Sequence, residues 1–378
     1  MKRQAGFSLM EVLVATALMV VIMGTTLRAL SDATHANEAV TLMADSQENL
    51  RAAMNYMTKD IIEAGEGLPQ GGIPIPNSAT LLNPAPPLAS AVNRPGPIGG
   101  PATFPPSFLT IPAITDGFQQ GPQAVTPNPN VPGGVLLGAK TDFITLVYAD
   151  NTIIDKVHNT TLNSLPIFLA ASGGNPGCPA GSLDPTGLTS TFDATCIILP
   201  VGNTAITPGD LIMFQNANGA TLQTVTAVNG QTLTFAGGGG GDAFALNGTA
   251  KPSGTIINIR NADGTFPPTT ASRIWMITYY LDTTNQQRPM LMRQVNFRPA
   301  TPVAEVIEDL AVSYDINGGP PSSAQVEALG FSPSAIRKVN LSLAARADNA
   351  YSQNKVYFRN NLQTQVSVRS LAFFNDFK

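Results

Sequence analysis

Charge is scarce in this chain of 378 residues: Asp, Glu, Lys and Arg make up 12% of it, about half the share usual in soluble globular proteins. Histidine occurs twice, at His35 and His158, cysteine twice, at Cys178 and Cys196, and tryptophan once. Two cysteines without CxxC spacing and with so few histidines do not build a zinc site. Neither histidine has a Ser, Asp or Cys partner placed for nucleophilic catalysis. His35 falls on a polar helical face and His158 in a polar loop. The formal charge of −4 gives no electrostatic footprint for DNA or RNA. Aromatic residues are 7% of the chain, too few to single out a sugar-stacking platform. The expectation is a protein that is not an enzyme, with no cofactor, no metal and no nucleic-acid partner. Asn261-Ala262-Asp263-Gly264 and Asp315-Ile316-Asn317-Gly318 lack the twelve-residue calcium-loop pattern and read as turns.

Glycine and proline, by contrast, number 34 and 31. They imply long irregular segments and a β-rich, loop-rich, exported protein. In an exported domain Cys178 and Cys196 are disulfide candidates. Closing their loop would contribute about 3 kcal/mol in the chain-entropy model. Two buried free thiols are the alternative.

One long apolar run is present, from Phe7 to Leu27, preceded by Lys2 and Arg3. As a helix it spans about 31 Å, enough for a bilayer core. The basic flank places the N-terminus in the cytoplasm and everything beyond Leu30 outside the inner membrane. A secretory signal peptide would need a cleavage site after the run. Ala29 and Ser31 supply small residues there, but a helical pattern continues through them. Neither that reading nor a plain signal anchor accounts for Glu11, a carboxylate inside the run, whose insertion costs about 3 kcal/mol unless it is paired.

Gly6-Phe7-Ser8-Leu9-Met10-Glu11-Val12 resembles the class III signal of type IV prepilins and pseudopilins. The resemblance implies cleavage after Gly6 by prepilin peptidase, N-methylation of Phe7, and pairing of Glu11 with the Phe7 amine of a neighbouring subunit. Losing the leader takes Lys2 and Arg3 away and moves the formal charge from −4 to −6.

Beyond the span, Val40, Met43, Gln47, Leu50, Met54, Met57 and Ile61 alternate by three and four, a heptad stripe. No proline interrupts Phe7 to Gly67, and Gly65, Gly67 and Pro69 form a stop. One helix is predicted from Phe7 to Ala64, about 87 Å long. Its stripe is predicted to carry a β-sheet; a dimerising coiled coil is the alternative. Met57 to Gly65 resembles the end of the first helix in PilW-type minor pilins and the related J-type pseudopilins. Ile307 to Tyr314 and Val366 to Leu371 resemble later segments of the same family.

The expected organisation is a leader at 1–6, a transmembrane half-helix at 7–30 and a periplasmic half at 31–64. A Pro/Gly-rich loop or linker follows at 65–138, either poorly ordered or an exposed binding surface. A β-rich pilin-like domain fills 139–378, with an inserted β-module at about 207–247. Strands are expected at Asp142–Tyr148, Ile274–Leu281, Met290–Val295, Val303–Tyr314 and Ile336–Arg346, with hairpins closed by Asp282–Asn285 and Asn229-Gly230. The fold class is α+β: a long N-terminal helix packed on an antiparallel sheet. The resemblance implies a minor pilin that helps to prime type IV pilus assembly near the tip. A type II secretion pseudopilin and a pilus-borne adhesin are the alternatives. Its implied partners are prepilin peptidase, other minor and major pilins, the inner-membrane assembly platform and membrane lipid. Its implied location is the inner membrane, then the pilus at the cell surface.

Overall fold

The computed structural model describes residues 8–76, 92–97, 102–105, 108–128, 130–131, 133–150, 206–229, 232–237, 241–247, 256–317, 319 and 333–372, together with short strands at 154–155, 167–168, 182–183, 189–191 and 197–198. Helix α1 runs Leu9–Glu63, unbroken for 55 residues. Ser8 caps it: its hydroxyl accepts from the Glu11 N–H, and the Glu11 carboxylate accepts from the Ser8 N–H, a capping box. The helix ends where Gly65 takes φ +85°, and a Cβ there would lie 2.7 Å from the Ser370 hydroxyl. Only glycine satisfies both the backbone and the close approach. The Gly65 N–H then bonds the Val147 carbonyl at 2.8 Å, stitching the helix end to the sheet.

The main sheet is antiparallel. We label its strands β1 (Ile114–Gly117), β2 (Phe143–Ala149), β3 (Leu211–Asn216), β4 (Gly219–Thr224), β5 (Thr270–Asp282), β6 (Met290–Val295) and β7 (Thr301–Glu305). The short strand Ile167–Phe168 joins it beside the start of β5. β5 is the spine: residues 270–274 pair β3, residues 274–279 pair β2 and residues 277–282 pair β6. A three-stranded antiparallel meander follows, of β8 (Ile307–Ile316), β9 (Ile336–Arg346) and β10 (Arg359–Ser367). The one-turn helix Arg369–Ala372 closes the described chain.

β2 is buried along its whole length because both sides of the sheet are covered. Ile144, Leu146 and Tyr148 on β2, with Ile277, Tyr279 and Leu281 on β5, face Leu50, Ala53, Met54, Met57 and Ile61 of α1. Val147, Ile274 and Met276 point the other way, into a second core with Ile73, Ile75, Val92, Phe104, Phe108 and Ile111. The Pro/Gly-rich stretch therefore wraps the back of the sheet. Its spaced apolar residues are core, and β1 within it is a strand of the main sheet. Arg94, fully buried in this wrap, donates to the carbonyls of Thr103 and Asp116 at 3.1 and 3.0 Å and lies over the Phe143 ring.

Three more expectations meet a different geometry. The stretch read as one strand from Val303 to Tyr314 breaks at Val306, whose φ is +61°, so β7 ends in the main sheet and β8 begins the meander. The stretch at 207–247 does not form one module: β3 and β4 extend the main sheet, whereas the hairpin Ala227–Asn229 with Thr232–Thr234 belongs to a four-stranded sheet. In the helix the buried stripe runs through Leu42, Ser46, Leu50, Ala53, Met57, Asp60 and Ile61, leaving Val40, Met43 and Gln47 exposed. The heptad offset drifts because a straight helix turns every 3.6 residues rather than 3.5.

The candidate assembly helix and its seat

The first half of α1 is bare. From Leu9 to Leu30 every residue is exposed, with Leu9 at 86% and Leu18 at 59%, and the apolar run has no partner within the chain among the described residues. Leaving so much apolar surface in water is unfavourable by about 25 cal/mol per Å². Such a surface requires lipid or other helices around it. Among the described residues this is the one helix long and apolar enough to cross a membrane. Near its outer end the Thr25 and Thr26 hydroxyls donate to the Ile22 carbonyl at 2.9 Å, sharing acceptors with the helix itself.

Glu11 stands at the third helical position, exposed, its carboxylate held by its own helix start through the Ser8 N–H at 3.0 Å. In the single subunit it closes a cap; a pairing with a neighbour's amine would have to share or displace that bond. Gly6, Phe7, Cys178, Cys196 and His158 lie outside the described residues.

The second half of α1 is locked to the domain at three heights. Lowest, Glu38 accepts from the Ser352 N–H at 3.0 Å and from its hydroxyl, and the Ser352 hydroxyl also lies 3.2 Å from His35 Nδ1. These hydrogen bonds lower the Glu38 carboxyl from its ordinary value, the Ser352 hydroxyl most. In the middle is Asp60, buried within the apolar seam. It accepts from Tyr148 Oη at 3.1 Å, Tyr279 Oη at 2.6 Å and Arg293 Nε at 2.7 Å. Burial pushes both tyrosines up, and the Asp60 charge pushes further in the same direction. Burial works against the Arg293 charge, but the hydrogen bonds and charge of Asp60 outweigh it and raise the guanidinium. Highest, the Ser370 hydroxyl donates to the Ala64 carbonyl at the helix end.

The Asp60 cluster is the part of the seat that pattern reading missed. Its signal was present: Asp60 occupies the apolar stripe one residue before Ile61, and Arg293 interrupts the apolar strand Met290–Val295. A charge of each sign at positions whose neighbours are buried marks a buried pair. Elsewhere, Asp263 closes a turn by accepting from the Thr265 N–H and hydroxyl, and Asp315 accepts from Asn340 and Gln365 across the meander. No group of His, Cys, Asp and Glu able to hold a metal occurs among the described residues.

Residues 1–27 match the model of the prokaryotic N-terminal methylation motif. This is the type IV prepilin-like signal, so the chain is a pilin-like or pseudopilin-like precursor of the kind processed by prepilin peptidase, and its apolar helix fits membrane anchoring. The match ends with the apolar run, at Leu27, and covers none of the domain. No curated protein and no solved structure matches the chain.

Proposed function

We propose that the chain is a minor pilin, a structural subunit of PilW type that takes part in initiating a type IV pilus and sits near its tip. The observation that carries the reading is the division of α1. A bare apolar half follows a prepilin-type signal, and the other half is fastened to a large domain by buried charge. The first half is free to pack among other subunits' helices, and the second transmits their position to the domain. A domain of two covered sheets is bulky for a dense helical lattice, which favours a rare subunit over the repeating one. Cleavage after Gly6 would leave a Phe7 amine at the membrane's cytoplasmic edge. A neighbour's Glu11 carboxylate would neutralise it, so that correct register is favoured over an unpaired intramembrane charge. Orientation follows Lys2 and Arg3, with the domain on the periplasmic side. Prepilin peptidase, the other pilins and the inner-membrane platform are the partners. The Cys178–Cys196 disulfide belongs to this proposal through export; alkylation of either cysteine without reductant would exclude it.

A deletion strain tests the reading. Loss of surface pili under the electron microscope with normal protein secretion is the expected outcome. Normal pili with a secretion defect would assign the subunit to a type II secretion pseudopilus instead.

A further inference from the structure

An open sheet leaves a row of N–H and C=O groups along each outer edge, and folded chains usually cover or guard them. The outer edges of β1, β4, β7 and β8 are guarded by side chains or by their own sequence. On β1, Arg94 donates to the Asp116 carbonyl at 3.0 Å. Beside β4, the Asn247 amide stands in for a strand: it accepts from the Thr224 N–H at 2.8 Å and donates to the Thr224 carbonyl at 2.7 Å. Asp142 does the same for β8. Its N–H bonds the Leu310 carbonyl at 2.9 Å, and its carboxylate accepts from the Val312 N–H at 2.8 Å. β7 has only five residues, contains Pro302 and pairs with a shifted register.

β10 has none of these devices. It pairs β9 without a register shift along Arg359–Ser367, nine residues with no proline. The Val368 N–H bonds the Arg337 carbonyl at one end of the pair, and the Ala347 N–H bonds the Phe358 carbonyl at the other. In an antiparallel ladder the hydrogen-bonded pairs recur every second residue. The even-numbered residues of β10 therefore bond β9, and the backbone groups of Asn361, Gln363, Gln365 and Ser367 point to the free edge. The Asn361 N–H is taken by the Asn360 side chain at 2.9 Å. The N–H groups of Gln363, Gln365 and Ser367 have no partner among the described residues. Leu362 and Thr364, on the side of the strand toward α1, stay partly exposed, so the helix does not close over this edge. On the opposite side Asn361, Gln363 and Gln365 are exposed, and Gln365 donates to the Asn340 side chain at 2.9 Å. The strand's one charge, Arg359, is engaged by Glu308 at 2.8 Å.

The direction of β10 limits what can join it. Ser370, just after it, meets Ala64, and Ser352, before it, meets His35 and Glu38, so β10 runs the same way as α1. Antiparallel pairing of two β10 strands would need one copy inverted in the membrane. A two-fold pair of upright copies would set each outward N–H against the same N–H. The other long edges of a second copy are guarded as above. We propose that the free edge of β10 accepts a β-strand of a different pilin-like subunit, running toward the membrane, with uncharged Asn, Gln, Ser or Thr side chains against the exposed amides. The proposal deepens the assembly reading of the preceding subsection and rests on it.

Gln363→Pro tests the edge, because it removes an outward N–H and places its ring where the partner strand would lie, while the bonds to β9 remain. Gln363→Ala keeps the N–H and loses only the side chain. In the producing strain, Gln363→Pro is expected to lose surface pili as the deletion does, with the melting temperature of the purified chain unchanged, and Gln363→Ala is expected to keep them. Normal pili with Gln363→Pro, or equal loss with Gln363→Ala, would overturn the proposal. A photo-crosslinking residue in place of Gln363 reads the same edge without disturbing the ladder, and it decides the matter if Gln363→Pro lowers the melting temperature. The expected adduct, sequenced by mass spectrometry, joins this position to a second protein that carries a prepilin-type signal. No adduct, or an adduct with this chain alone, would overturn the proposal. If the deletion strain keeps its pili, the pilus reading fails, and the adduct alone judges the edge.

Discussion

At the scale of single residues, the charges that matter are the buried ones, and the two kinds present respond differently to pH. Asp60 is compensated on three sides, by Tyr148, Tyr279 and Arg293. Asp60→Asn leaves the Arg293 guanidinium facing an amide inside the fold. The expected loss is about 3 kcal/mol, seen as a lower melting temperature of the purified chain. Asp309 is only half-buried and has no such cluster of donors among the described residues: burial raises its carboxyl above the ordinary value, opposed by a hydrogen bond from the Leu310 N–H. Burial raises Asp142 as well, with the charges of Asp309 and Asp116 adding to it. A carboxyl whose folded pKa is raised stabilises the fold fully below its unfolded pKa, and that stability is lost as pH rises through the folded value. Asp309→Asn is accordingly expected to raise the melting temperature near neutral pH. The gain should shrink on acidification and disappear below about pH 4. A gain that persisted in acid would refute burial of charge as its cause.

At the scale of elements, α1 reads as two helices in one. The first half begins at a capping box, in which the Glu11 carboxylate accepts from the Ser8 N–H; the proposed pairing with a neighbouring subunit would give its charge a second role. Glutamine serves in a capping box as well as glutamate does, so Glu11→Gln separates the roles. We expect Glu11→Gln to be processed and inserted normally but to fail in assembly, scored by its absence from sheared pili. Assembly at the normal level would mean that the cap, not the charge, is what Glu11 contributes. Gly6→Leu is expected to accumulate as uncut precursor, visible as a mass larger by the leader. The break at Val306 belongs to this scale too. Nothing in Val303–Tyr314 announces it, because a β-branched residue is disfavoured at positive φ; it stands where the chain passes from the main sheet to the meander.

At the scale of the molecule, the main sheet is held from both sides, by the seam of α1 and by the Pro/Gly-rich wrap. Removing 65–138 would take away β1, Arg94, Phe104, Phe108 and Ile111, and would bare Val147, Leu211 and Met276. The expected result is degraded or aggregated protein rather than a filament that has lost only its surface attachment. Ile111→Ala, a single cavity in that wrap, should cost about 2–5 kcal/mol, measured by denaturant unfolding.

The local features were legible because local physics makes them. Residues 7–64 carry an uninterrupted helical pattern, Gly65 stops it, and Phe143–Tyr148, Ile274–Leu281, Met290–Val295 and Ile336–Arg346 carry strand composition that any context would respect. The prepilin-type signal is a contiguous string, so no fold is needed to see it. Tertiary structure decided which of those pieces meet. Arg293 in a strand and Ser352 in a loop find their carboxylate partners far along the chain, Asp60 being 233 residues from Arg293 and Glu38 being 314 from Ser352. A buried charge is tolerable only when such a partner arrives. The burial that demands the partner is itself a product of the folded sheet and helix, which no local window of sequence contains.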